Sequence, residues 1–241
     1  MAKCDCGFCH LHVHSEYSLL DGANRVKDLA KRAADMDMPA LALTDHGVMY
    51  GAIDFYEACK AQGVKPIIGV EAYVAPRKHT DKDPHLDKQK NTHHLTLWAK
   101  NQTGYKNLVK LTTRANLDGF YYKPRVDHEL IAQHSEGIIC GSACLGGEIP
   151  QLIVGQKFDE AVKRAEQYRE MFGKENFFLE LMDHDLTGQD EVNQRVIDIH
   201  HKTGIPLIAT NDAHYLKRED ERMHKVLVCI GTNSTLDKAA L

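Results

Sequence analysis

Short apolar runs alternate with stretches of helical period from one end of the chain to the other. CHLHVH precedes a helical pattern over 24–36, and PALALTDH precedes YGAIDFYEACKAQ. KPIIGVEAYVA opens into a polar stretch, 76–91, rich in Lys, Asp and His. HLTLWAK is followed by a helix over 103–116, and GIICGS by two helical stretches, the longer covering 158–172. NFFLELM leads to 189–202, and PLIATNDAH to 218–228. Asp190 before an acidic first turn, and Gly204 with Pro206 beyond a helix end, mark helix boundaries. Seven such strand–helix units predict a mostly parallel sheet, open and doubly wound or closed as a barrel. The 76–91 stretch is the substantial insertion and reads as an exposed segment free to move.

The first run has a period of two. As a strand it puts His10, His12 and His14 on one face and Leu11 and Val13 on the other. Neither GxGxxG nor GxxxxGK[ST] follows it, so both nucleotide-binding fingerprints are missing there. Metal-type side chains recur instead where strands end: His12 and His14, Asp45 and His46, Glu71, Cys144, then Asp183, His184 and Asp185, and finally Asp212 and His214. Parallel α/β folds build their sites at those carboxyl ends. Each residue alone has a plainer reading, such as a helix cap for TDHG or a barrel ion pair for Glu71. Their spread over separate units favours a metal centre. Mixed N, O and S donors suit zinc, manganese or iron, and they are too many for one tetrahedral zinc. A multinuclear centre clamps the oxygens of a phosphoryl transfer.

Composition narrows the picture without redirecting it. The 241 residues, 43% hydrophobic and 27% charged, suit one large α/β domain or two small ones. A net charge of −4 argues against a free-standing nucleic-acid binder, though not against a phosphate site charged by bound cations. No apolar run is long enough for a membrane span, and the N-terminus has no apolar signal region. Seven cysteines, an odd count, fit a reduced, cytoplasmic setting. Cys4, Cys6 and Cys9 lack a fourth thiol nearby and do not read as a separate zinc site, while Cys59, Cys140 and Cys229 read as small buried hydrophobes. The final LDKAAL suggests a piece cut from a longer chain.

HLHVHSEYSLLDGA, ALALTDHGVMYGAIDFYEACKAQGVKPIIGVEAYV, HHLTLWAKNQTGYKNLVKL, GSACLGGEIPQ and LIATNDAHYL together resemble the PHP (polymerase and histidinol phosphatase) domain. The form they most resemble stands at the N-terminus of bacterial DNA polymerase III alpha subunits. The resemblance runs in order from about His10 to the C-terminus, leaving 1–9 as an N-terminal extension and 10–241 as a single PHP domain. It implies a distorted (β/α)7 barrel with three divalent metal ions. By position, His12, His14 and Asp212 would hold the first ion. Glu71 would bridge it to a second, held also by His94 and Cys144, and Asp21, His46 and His214 would hold the third. Asp21, Glu71 and His46 are the residues implied to act in catalysis. Cys144 stands where many smaller PHP phosphatases have His, and thiolate is a competent zinc ligand. His94 opens its strand rather than ending it, so the resemblance carries it, with His93 as the alternative. His10 is expected to be a hydrogen-bonded core residue, and Asp183, His184 and Asp185 to face the rim.

The implied activity is a metal-dependent phosphodiesterase with a metal-activated water. In this family that points to a 3′–5′ exonuclease proofreading a DNA 3′ end, partnered by the remaining polymerase domains and replisome subunits. Arg77 and Lys123 are candidates to orient the strand. Two other readings stand beside it. One is a non-catalytic, metal-stabilised docking module; the other is a small-molecule phosphatase of the histidinol-phosphate kind.

Overall fold

A computed structural model describes residues 7–87 and 91–237. In chain order the elements are α1 (Val26–Asp35), β1 (Ala40–Leu43), α2 (Ala52–Ala61), β2 (Lys65–Val74), β3 (His93–Ala99), α3 (Gln102–Leu117), β4 (Arg125–Val126) and α4 (His128–Gln133). Then come β5 (Ile138–Gly141), α5 (Glu148–Val154), α6 (Phe158–Phe172), β6 (Phe177–Leu181), α7 (Gln189–Thr203), β7 (Leu207–Ala209) and α8 (Glu221–Thr232). The sheet runs β1-β2-β3-β5-β6-β7, with β4 paired to the end of β2. It curls into a distorted (β/α) barrel. Apolar stripes on the helices cover its outer face, as when α1 buries Val26, Leu29, Ala30 and Ala33. Asn101 caps α3 by accepting the Gly104 N–H at 3.0 Å, and Asp127 caps α4 by accepting that of Leu130 at 2.8 Å.

Three expectations change. First, the CHLHVH run makes no ladder strand. It is still a barrel stave: the Ala42 N–H donates to the His10 carbonyl, the Thr44 N–H to that of Val13, and the His14 N–H to that of Ala213, each at 2.9 Å. The segment thereby joins β1 to the stretch after β7. Its pattern is irregular because the Thr44 side chain takes a backbone role, accepting the Val13 N–H at 2.9 Å. As a result His10 does not share a face with His12 and His14. It lines a cleft with Val13, Leu29 and Leu41, and its Nδ1 finds no hydrogen bond among the described residues.

Second, the sheet is mixed. β3 is antiparallel to both neighbours, β2 and β5, while the other ladders are parallel. Alternation of apolar runs does not encode strand direction.

Third, the described part of the 76–91 insertion is fastened. Arg77 grips the buried Asp87 carboxylate through Nε (3.1 Å) and Nη2 (2.6 Å), and the Asp83 N–H donates to the same carboxylate at 2.7 Å. Arg125, wholly buried, donates to the carbonyls of His79 (3.0 Å), Asp81 (2.6 Å) and Gly119 (3.1 Å). One guanidinium therefore ties two loops to β4.

Candidate metal centre

The rim at the carboxyl ends of the parallel strands gathers all nine donors named from the sequence. His12 and His14 come from the closing stave, Asp21 from the loop after it, His46 from the turn after β1 and Glu71 from within β2. Cys144 follows β5, and Asp212 and His214 follow β7. The reversed direction of β3 settles the placement of His94. Because that strand runs the other way, its start lies at the rim where its neighbour β2 ends, with His94 opposite Tyr73. His93, its alternative, lies instead near Glu148 and His128. Left-handed backbone recurs beside the donors: Leu20 (φ 60°) before Asp21, Gly47 (φ 65°) after His46, Ala143 (φ 63°) before Cys144, and Asp212 itself (φ 47°). Non-glycine residues seldom adopt such angles, and they gather where a site must be shaped.

Glu71 is the hub. Its Oε1 lies 3.2 Å from His12 Nε2 and 3.0 Å from His94 Nδ1. Its Oε2 lies 2.7 Å from His46 Nδ1 and 3.3 Å from His14 Nε2. Asp212 Oδ1 meets His12 Nε2 at 3.3 Å and His14 Nε2 at 3.0 Å. Asp21 Oδ2 meets His46 Nε2 at 2.8 Å and His214 Nε2 at 3.5 Å. Cys144 Sγ lies 3.7 Å from Glu71 Oε1 and 3.6 Å from His94 Nδ1. His14 is sandwiched between His46 (centroids 4.1 Å apart) and His214 (4.3 Å).

Outer partners fix which imidazole nitrogen faces the centre. His214 Nδ1–H donates to the Asp212 carbonyl at 2.8 Å, leaving Nε2 inward. The Ser18 hydroxyl gives its proton to Asp45 (2.7 Å) and so accepts from His14 Nδ1 (3.0 Å). Behind His12, Glu180 Oε2 stands 3.1 Å from Nδ1 and also accepts from the Thr210 hydroxyl at 2.7 Å. Its other oxygen accepts the Ala143 N–H at 2.8 Å. A Cβ on Gly141 would lie 2.2 Å from that oxygen, so glycine leaves room for the carboxylate. Such outer hydrogen bonds commonly orient metal-binding histidines.

Glu180 lies outside the pattern of donors at strand ends. Its one signal was a carboxylate inside the otherwise apolar FFLEL. Asp45, counted among the strand-end residues, serves as a staple, accepting from Ser15 N–H (2.6 Å) and Ser15 O–H (2.8 Å) as well as Ser18. Asp183, His184 and Asp185 are exposed, and His184 Nε2 lies 2.6 Å from the Asn211 carbonyl. Cys59, Cys140 and Cys229 are buried as expected, whereas Cys4 and Cys6 lie outside the described residues.

The electrostatics are those of crowded charge. Burial opposes ionisation of Glu71, but His94, His12 and His46 hold its carboxyl well below the usual range. Asp21 and Asp212 are likewise held low against burial, by His214 and His46 and by His12 and His14 respectively. His46, against the same burial, is raised to about 10 by Glu71 and Asp21. Burial and the flanking His46 push His14 down to about 3. Burial, then Glu71 and Asp212, raise the Cys144 thiol.

The donors fit divalent cations. His12 Nε2, His14 Nε2, His46 Nδ1, Glu71 Oε2 and Asp212 Oδ1 are buried with no well-formed hydrogen bond. Each such group costs about 1–3 kcal/mol when left alone. Among the described residues, ligand atoms of His12, His14, Glu71 and Asp212 lie within 4.8 Å of one another. The same holds for His14, His46 and His214, and for His46, Glu71 and His94. Overlapping sets that share Glu71, His14 and His46 suit more than one ion.

Residues 10–184 match the PHP domain family. The chain is 48% identical over 225 residues to the DNA polymerase III subunit alpha of Treponema pallidum, covering 93% of this chain and 19% of that protein. It is 47% identical over 232 residues to the same subunit of Thermus aquaticus, covering 95% and 19%. The chain thus spans about a fifth of the length of these curated relatives. Among solved structures, it resembles a Bifidobacterium adolescentis protein described as a metal-dependent phosphoesterase, with TM-score 0.52 and 12% identity. That match covers 91% of this chain and 96% of the other. An amidohydrolase from Chromobacterium violaceum matches with TM-score 0.52, 14% identity and the same coverage. At these identities the structural matches speak for the fold.

Proposed function

The chain belongs to the PHP domain family, and on that footing we propose that it is a metal-dependent phosphodiesterase trimming DNA from the 3′ end. The observation that carries this reading is the convergence of nine donors, with five buried atoms lacking hydrogen bonds, around Glu71. His12, His14 and Asp212 would hold one ion, Glu71 with His94 and Cys144 a second, and Asp21, His46 and His214 a third. Zinc, manganese and iron all suit this donor set. When bound, the ions supply Lewis acidity and offset the phosphate's negative charge.

The chain's own groups do the rest. Glu180, Ser18 and the Asp212 carbonyl hold three imidazoles in one tautomer, so their lone pairs face inward. Asp21 is the open edge of the cluster, its side chain 38% exposed. Its carboxylate, 2.8 Å from His46 Nε2, is the group placed to accept a hydrogen bond from the attacking water and orient it. Glu71 Oε2 lies 2.7 Å from the opposite nitrogen of His46, so both carboxylates flank the one imidazole.

The remaining polymerase domains and replisome subunits are the partners this reading implies, and they would deliver the DNA. Among the described residues, no helix is long and apolar enough to cross a membrane. The test is incubation of the chain with 3′-labelled single-stranded DNA and manganese or zinc, with His14→Ala and a chelator as controls. Chelator-sensitive trimming that His14→Ala abolishes supports the reading. Metal-dependent folding without trimming of any strand would favour a stabilising, non-catalytic module. Cleavage of histidinol phosphate but not DNA would move the substrate to small phosphate esters.

A further inference from the structure

We propose, resting on the nuclease reading above, that the loop 118–123 is a stacking platform for bases of single-stranded DNA, with Lys123 taking a backbone phosphate. Lys123 Nζ lies 5.2 Å from the centre of the Tyr73 ring. Tyr73 in turn stacks on His46 (5.7 Å, 23° between planes) and meets His94 edge-on at 5.3 Å. The loop's cation is thus one aromatic ring away from the donor cluster. Just ahead of it, Phe120 is 51% exposed and Tyr122 is 60% exposed.

Single exposed rings are ordinary on protein surfaces. The mounting of Tyr122 is not. Tyr122 has φ 61°, a backbone state that bulky side chains avoid. Tyr121, between Phe120 and Tyr122 in sequence, packs against Tyr122 (centroids 4.6 Å apart) and lies 5.2 Å from the buried Arg125 guanidinium. The Tyr121 N–H donates to the Lys123 carbonyl at 3.1 Å, closing the loop. A Cβ on Gly119 would lie 2.0 Å from the Arg125 carbonyl, so the loop is pressed against β4. Strained backbone held rigid to aim a ring into water is a feature of binding sites rather than of cores.

The chemistry selects the occupant. Every base has a π-face, so aromatic platforms bind strands with little sequence preference, and an adjacent cation follows the phosphates. Duplex bases are hidden by pairing and stacking, so such a platform favours frayed or single-stranded ends.

The experiment is fluorescence anisotropy on the 241-residue chain in EDTA, with a fluorescein-labelled oligothymidylate as probe. Phe120→Ala with Tyr122→Ala should weaken binding roughly ten-fold or more, while Tyr122→Trp should retain it. Lys123→Gln should lower the slope of log affinity against log salt by about 0.7. Tyr122→Gly relieves the left-handed backbone, so it should lose affinity without lowering the melting temperature. The platform is overturned if the double variant binds like the parent, or if the parent binds no strand. A chain that binds through Tyr122 but trims nothing keeps the platform and removes the nuclease. A chain that trims DNA with KM unchanged in the double variant does the reverse.

Discussion

Glu180 stands directly behind His12, its Oε2 3.1 Å from the imidazole Nδ1, while Nε2 on the far side of the ring faces Glu71 and Asp212. A carboxylate accepts hydrogen bonds and donates none, so it selects the tautomer with hydrogen on Nδ1 and a lone pair on Nε2. Glu180→Gln breaks that rule. Its amide either turns an N–H toward His12 or opposes the Ala143 N–H. Metal affinity is expected to fall roughly 10–100-fold. Metal content after dialysis against buffered free zinc measures it, with circular dichroism to show a native fold. Unchanged content would assign Glu180 a packing role alone.

Stripping the metal should lower stability as well as activity. At free ion concentrations near 100 times Kd, binding contributes about 2.7 kcal/mol. For a domain of this size that raises Tm by roughly 5–10 °C. Calorimetric melts with and without chelator provide the comparison. Asp212→Asn, which removes one donor of the cluster, should narrow the difference between the two melts.

The pH dependence should change sign with metal. In the metal-free protein His46 is raised to about 10, against burial, by Glu71 and Asp21. A raised histidine stabilises the fold fully below its unfolded value, about 6.5, and the benefit is lost as pH climbs through 10. Metal-free protein should therefore weaken across that window. Metal binding displaces the same proton, so apparent affinity should rise over the same range. Denaturant melts of the stripped protein, and calorimetric titrations in buffers of different ionisation enthalpy, test the two halves separately. A metal-free protein that gains stability toward pH 10 would contradict the assignment.

Arg125→Met should unfasten both loops that the guanidinium ties. Three backbone carbonyls lose a charged donor, and hydrogen bonds of that kind are worth about 1.5–3 kcal/mol each. Faster hydrogen exchange at 79–83 and 119–123, together with a net loss of at least about 2 kcal/mol in urea unfolding, is the expected result. Arg125→Lys should rescue little, because one ammonium cannot reach all three carbonyls.

The periodicity located most helices closely, α6 among them, because each buries a continuous apolar stripe. β4 and α4 went unseen, since two and six residues are too short to show a period. The first stave was legible as extended chain but not as irregular, because the Thr44 hydroxyl that replaces a ladder bond lies far away in sequence. The donors at strand ends could be read because chemistry restricts them to His, Asp, Glu and Cys. Glu180 could not, because its partner His12 is 168 positions away. The fastening of 76–87 is hidden in the sequence for a similar reason: its Lys- and Asp-rich composition is that of a solvated loop, whereas a buried Asp87 and a distant Arg125 pin it.

The reversal of β3 bears on how this architecture can diversify. A parallel crossover leaves a strand at the donor rim and re-enters the sheet at the far end, so only its first connection borders the chemistry. The β2–β3 connection leaves and re-enters at the same mouth. Its two ends therefore stand at the donor rim, one at Tyr73 and Val74 and the other at His93 and His94. A change confined to that connection alters what borders the rim while leaving the nine donors on their own segments.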